Sequence, residues 1–178
     1  MTAYWAKILK QTWQIEASLT RLDGEYDLNF LAEAAHPTVL KVMRADCEES
    51  FIDLQCSALE HLSNSHLNLP IPRVIKTRHG ELYAKVKGPE GEQRIVWLQE
   101  KLEGKTYANF LPHSMSLIAD VGSVLGTVDK AWSNFEHPAL ARDFKWNLCN
   151  AQWIVENLAV ISDPRKKQLL ESICQQFE

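Results

Sequence analysis

From Trp13 to Arg44 apolar and polar residues alternate in short runs, WQIEASLTR, DLNFLAEA and VLKVMR, separated by the polar bend LDGEY and the turn AHPT. Alternation at period two, bounded by turn residues, predicts three short strands in succession. The pattern then changes. In DCEESFIDLQCSALEHLSN the apolar residues Phe51, Leu54, Ala58, Leu59 and Leu62 recur at helical spacing. Asp46, three residues before Glu49, resembles a capping box, so a helix is expected to start near Cys47. The segments RVIKT, ELYAKVKG and EQRIVWLQEKL follow, with Gly80, Gly88 and Gly91 at the bends, and predict a strand and hairpins.

After Leu102 strand signals almost vanish, and segments 114–134, 147–161 and 164–177 are helix-like. A boundary is expected near Glu103 and Gly104, dividing the chain into 1–102 and 103–178. Asp163 and Pro164 suit the N-cap and first position of the last helix, which carries Leu169, Leu170, Ile173 and Phe177 on one stripe. Strands with one early helix, followed by helices only, predict an α+β protein in two lobes.

Composition narrows the function classes. The chain has 178 residues, of which 46% are hydrophobic and 24% charged, enough for a core without disulfides or a structural metal. No run approaches the roughly 18 apolar residues of a membrane span, and the N-terminus lacks the apolar region of a signal peptide. A cytoplasmic protein is expected. A net charge of -4 and the lack of a basic stripe argue against nucleic acid as a partner. The cysteines at 47, 56, 149 and 174 show no metal-binding spacing, so reduced thiols, mostly buried, and no cysteine-held metal are expected.

The residue most suggestive of chemistry is Lys41. In V-L-K-V-M, alternation puts Val39, Lys41 and Met43 on one face and Leu40 and Val42 on the other. A lysine there is either on an edge strand facing water or a fixed ammonium for nucleotide phosphates. On the following helix, at about 100° per residue, Gln55 falls within the apolar arc while Asp53 and Glu60 point away. Gln55 is either a half-buried boundary residue or the partner that orients Lys41, the role a glutamate plays in kinases. The bend LDGEYD holds one glycine, so it is neither a G-x-G-x-x-G loop nor a Walker A motif. It is still placed where backbone N–H groups can cover phosphates.

The succession L-D-G-E-Y-D-L-N-F, V-L-K-V-M, F-I-D-L-Q-C-S-A-L-E-H-L and L-P-I-P-R-V-I resembles the N-terminal lobe of the aminoglycoside phosphotransferase family of protein-kinase-like enzymes. The stretch I-V-W-L-Q-E-K-L-E-G-K-T resembles the segment linking that family's lobes, with Leu102 and Gly104 matching its Leu-x-Gly. F-E-H-P-A-L and R-D-F-K-W-N-L resemble segments of the hydroxylysine-kinase-like branch. The resemblance covers roughly residues 15–178 and rests on the order of several short motifs.

It implies a kinase-like N-terminal lobe, a mainly antiparallel sheet with one inserted helix, followed by the helical start of an incomplete C-terminal lobe. It also implies that Lys41 contacts the α- and β-phosphates of ATP or GTP and that Asp23, Gly24, Glu25 and Tyr26 cover the phosphates. Gln99, Glu100 and Lys101 would meet the base through backbone groups. Gln55 stands where kinases usually have glutamate, and an amide still accepts a hydrogen bond from Lys41.

Kinases of this type also need an Asp as proton acceptor, and an Asn and a second Asp to hold magnesium. Histidines 36, 61, 66, 79, 113 and 137 are none of them followed by Asp at the second position, and Asp143-Phe144 precedes Lys145, not Gly. The expectation is a piece of a small-molecule kinase, inactive alone, whose metal ligands lie elsewhere in a longer protein. The acceptor of such a kinase would be a small amine-bearing alcohol. The competing expectation is a non-catalytic kinase-like module that binds nucleotide or protein. Apolar stripes on segments 114–134 and 164–177 lead to an expectation of self-association.

Overall fold

The computed structural model describes residues 1–141, 147 and 152–176. Its packing divides into two compact units, Met1–His137 and Pro138–Glu178.

The first unit is built on a six-stranded sheet. Strands β1 (Ser18–Leu22), β2 (Leu28–Glu33) and β3 (Thr38–Val42) form a meander, and β3 continues onto β6 (Gln93–Glu100). The other side of β6 pairs with β5 (Tyr83–Lys87) along its first half and with β4 (Val74–Ile75) near its end. Every pairing is antiparallel. These strands follow the runs expected from the alternation. Gly80 and Gly91 take φ of 83° and 88° at the bends, a left-handed backbone that a side chain would strain.

Alternation along β2, β3 and β6 divides their side chains between the two faces. Phe30, Ala32, Leu40, Val42, Val96 and Leu98 form a core with Trp5, Leu9 and Trp13. These last three lie on helix α1 (Thr2–Trp13), which the sequence analysis did not anticipate. Trp13 had been placed at the start of the first strand, whereas the helix runs through Trp13 and ends at Gln14 in the left-handed region, with φ 59°. The spacing i, i+4, i+8 of Trp5, Leu9 and Trp13 is the signal that marked it. The Trp13 indole N–H donates to Ile75 O at 2.8 Å and the Tyr4 hydroxyl to Lys87 O at 2.7 Å, tying α1 across the sheet.

On the opposite face Met43, Ile95 and Trp97 pack with Ile52 and Cys56 of helix α2 (Glu49–Asn64). The expected capping box is not formed. The helix begins at Glu49 with Glu48 as N-cap and no side-chain cap bond; Asp46 lies two residues before that cap, and its carboxylate pairs with Arg44 at 3.0 Å. Helix α3 (Met115–Trp132) is capped by Ser114, whose hydroxyl accepts from the Leu117 N–H at 3.1 Å. It lies against α2, where Trp132 Nε1 donates to Ala58 O at 3.4 Å and His61 Nε2 is 2.8 Å from Ala131 O.

In the second unit α4 (Gln152–Glu156), a 3-10 turn (Leu158–Val160) and α5 (Pro164–Cys174) pack together. Asp163 caps α5 as expected, accepting from the N–H groups of Arg165 at 2.9 Å and Lys166 at 3.3 Å. Cys149, Phe177, the Asp143-Phe144-Lys145 run and most of R-D-F-K-W-N-L lie outside the described residues. Cys56 and Cys174 are buried free thiols and Cys47 is half-buried. No described helix is long and apolar enough to cross a membrane.

Candidate functional site

The sheet register puts Asn29, Lys41, Trp97 and Tyr83 side by side in one row across β2, β3, β6 and β5. The row lies on the α2 face, since Trp97 packs with Ile52 and Cys56 while the adjacent Phe30, Leu40 and Leu98 pack toward α1. Lys41 is therefore interior to the sheet, half-buried, and directed to the helix side. Its ammonium lies 5.1 Å from the centroid of the Trp97 ring, within the range of a cation–π contact. Among the described residues Lys41 forms no ion pair.

Helix α2 presents Glu49, Ile52, Asp53, Cys56 and Glu60 toward this face. Lys85 binds Glu49 at 2.5 Å and Lys76 binds Glu60 at 2.9 Å, while His137 Nε2 reaches Asp53 at 3.2 Å. The inward arc read from the sequence is corrected accordingly. Ile52, Cys56 and Leu62 are the buried positions, and Asp53 and Glu60 do not point away. The helix has two covered sides, one on the sheet and one on α3 near Ala58 and His61, and the sequence periodicity averages them. Gln55 is half-buried, with its amide donating at 3.5 Å to Phe51 O along its own helix.

The electrostatics follow from these placements. The Cys56 thiol is pushed up to about 12, first by burial and then by the Asp53 and Glu60 carboxylates, against the opposing charge of Lys41. Tyr83 is also raised to about 12, by burial and by its hydrogen bond to Glu49. Glu49 in turn is held below its ordinary value, chiefly by Lys85.

The bend between β1 and β2 holds Asp23, Gly24, Glu25 and Tyr26, all exposed. Its closing residue Asp27 accepts from the Arg44 N–H at 2.8 Å, and the Arg44 guanidinium lies 5.5 Å from the Tyr26 ring centroid. Hydrogen bonding to Glu25 and its charge raise the Tyr26 phenol. A side chain at Gly24 would come within 2.5 Å of Asn29 Nδ2 and 2.6 Å of Asp27 O, so only glycine permits this approach. The bend and the Lys41 row thus meet through Asn29.

Gln99 shares the α2 face with Trp97 and pairs with Val39 and Val74. Beyond it the Glu100 N–H donates to Arg73 O at 2.9 Å and the Lys101 N–H to Pro37 O at 3.1 Å. Both amides are engaged within the lobe. Asn29, Trp97 and Asp53 were not singled out from the sequence. The first two were findable, since Asn29 stands in phase with Leu31 along β2 and Trp97 in phase with Gln99. The Asp53–His137 contact joins positions far apart in sequence and had no local signal.

No protein-family profile matches the chain. It is 24% identical over 149 residues to hydroxylysine kinase of Bos taurus, an alignment covering 79% of this chain and 39% of that protein. An aminopropanol kinase associated with a microcompartment superposes with a TM-score of 0.62 and 20% identity, over 82% of this chain and 45% of that one. Amicoumacin kinase, solved with AMP-PNP, Ca2+ and amicoumacin, superposes with a TM-score of 0.70 and 12% identity, over 98% of this chain and 52% of that one. The fold is kinase-like. The kinase-like lobe expected from the order of motifs is the fold observed. The chain spans 39% of the length of the curated relative and about half of each solved one. Among the described residues no group of three or more His, Cys, Asp or Glu is placed to hold a metal ion.

Proposed function

We propose that this chain is the nucleotide-binding portion of a small-molecule kinase, one that moves the γ-phosphate of ATP or GTP to a hydroxyl of a small amine-bearing molecule. The observation that carries this reading is Lys41. In a kinase-like lobe, an ammonium at mid-sheet without an ion pair among the described residues is a cation available for phosphate. A charge-assisted bond from a half-buried lysine is worth more than one on open surface. The names of two relatives, hydroxylysine kinase and aminopropanol kinase, support an amino alcohol as the acceptor class.

In this reading the bend from Asp23 to Tyr26 covers the phosphates and Gln99 to Lys101 border the base, with Leu31 and Val39 as the apolar shelf between them. Gln55 lends its amide to the helix side of the cleft. Magnesium would neutralise charge on the phosphates, as in kinases generally. The described residues supply no carboxylate cluster for it, and we assign its ligands, with the proton-accepting Asp, to the remainder of the longer protein. The chain alone then binds nucleotide and does not transfer phosphate. Its exposed residues Ile118, Leu125, Phe110 and Leu111 form apolar surface of the kind that soluble proteins cover, so self-association is expected.

A second reading is a kinase-like module that binds nucleotide or protein without chemistry. Turnover separates the two. A protein that extends this chain and contains H-x-D should phosphorylate hydroxylysine or aminopropanol in the presence of Mg2+. Nucleotide binding without turnover by that longer protein would favour the module.

A further inference from the structure

We propose that Asn29 is a positioning residue for Lys41, its side-chain carbonyl taking up the lysine ammonium when a phosphate-bearing ligand enters, so that the lysine is oriented from strand β2 and not from helix α2. The inference rests on the nucleotide reading above and adds a residue which that reading does not include.

Four observations converge on it. Asn29 and Lys41 are direct cross-strand partners, and directly opposed side chains start about 4.5–5.5 Å apart at Cβ. A lysine stem is long enough to place its ammonium over either neighbour in the row, Trp97 or Asn29. Asn29 Oδ1 is buried and has no hydrogen-bond partner, whereas buried acceptors are nearly always satisfied. The Lys41 ammonium carries three donors, and its contact is the face of Trp97. An unused acceptor and an unused donor thus stand on adjacent strands.

The side chains on the helix are already engaged: Glu49 pairs with Lys85, Glu60 with Lys76 and Asp53 with His137, and the Gln55 amide nitrogen donates to Phe51 O, whereas Asn29 Oδ1 is buried without a partner. The Asn29 amide nitrogen lies beside the bend on its other side, where a side chain at Gly24 would come within 2.5 Å of it. Closure of the bend over a phosphate and orientation of the lysine therefore share one amide. The ammonium lies over Trp97. With a phosphate beside the bend, it moves to a position between that phosphate and Asn29 Oδ1.

The test uses the 178-residue chain, Mg-ATP and adenosine as probes, and spectra of 13C-labelled lysine in which the Lys41 signal is identified by its loss in Lys41→Arg. Asn29→Ala should weaken Mg-ATP binding about tenfold, leave adenosine binding unchanged, and add nothing further in a Lys41→Ala background. Equal losses of Mg-ATP binding in the wild-type and Lys41→Ala backgrounds, or an equal loss for adenosine, would overturn the proposal. The second arm needs no nucleotide. The Lys41 methylene signals should be shifted upfield by the Trp97 ring, and Asn29→Asp, which offers a charged acceptor in the same place, should remove that shift. Persistence of the ring shift in Asn29→Asp would overturn the positioning role even if nucleotide binds, whereas loss of the shift in a chain that binds no Mg-ATP would uphold the geometry and sink only the nucleotide reading.

Discussion

Gly24 and Cys56 show how single positions set the character of the Lys41 row and its surroundings. A methyl group at Gly24 meets the backbone oxygen of Asp27 at 2.6 Å, and backbone cannot rotate out of the way as a side-chain end can. Gly24→Ala should therefore lower stability by about 1–3 kcal/mol, visible as a drop in Tm, and should loosen the bend that borders the lysine row. Cys56 tests the burial between α2 and the sheet. Its thiol ionises ordinarily at 9.0 and in the folded chain at about 12, so its contribution to stability is complete below pH 9 and is lost as the pH rises toward 12. The urea midpoint of the wild type should consequently fall more steeply between pH 9 and 12 than that of Cys56→Ala. Parallel curves would mean that the thiol is as hydrated folded as unfolded.

At the scale of elements, the strands were legible and the helices only partly so. Alternation in β2, β3 and β6 is clean because each of these strands has two chemically distinct faces, one toward α1 and one toward α2. It correctly assigned Val39, Lys41 and Met43 to one side. Helix α1 was missed since its charged residues and aromatics obscure a stripe of only Trp5, Leu9 and Trp13, and Gln14 ends it without a glycine. The face of α2 was misjudged because α3 covers a second side. Neither fact is local to the segment concerned. The importance of α1 can be measured directly. Leu9 is fully buried in the core, and Leu9→Ala should cost about 2–5 kcal/mol in chemical denaturation. A change below half a kcal/mol, on the order of a surface substitution, would show that α1 is not an integral part of the lobe.

For the whole molecule, the candidate site is a row of side chains across a kinase-like lobe and not a single motif. The order of parts was readable, because a polar bend, an interior lysine, a helix and a connecting strand recur in sequence as they do in space. Asn29 and Trp97 were findable from their phase along β2 and β6, whereas the contact of Asp53 with His137 acquires meaning only through packing. Apolar side chains on α3, with Leu125 at 58% exposure, should make the chain associate with rising concentration in sedimentation velocity, and Leu125→Lys should reduce that association. The central claim, that Lys41 is a phosphate ligand, is tested most directly by calorimetric titration of Mg-ATP and Mg-GTP into the chain and into Lys41→Ala. The account expects binding of about millimolar strength or better, near -4 kcal/mol, weakened about tenfold or more by the substitution, a loss of about 1.4 kcal/mol. Equal affinity of the two proteins for both nucleotides would contradict it.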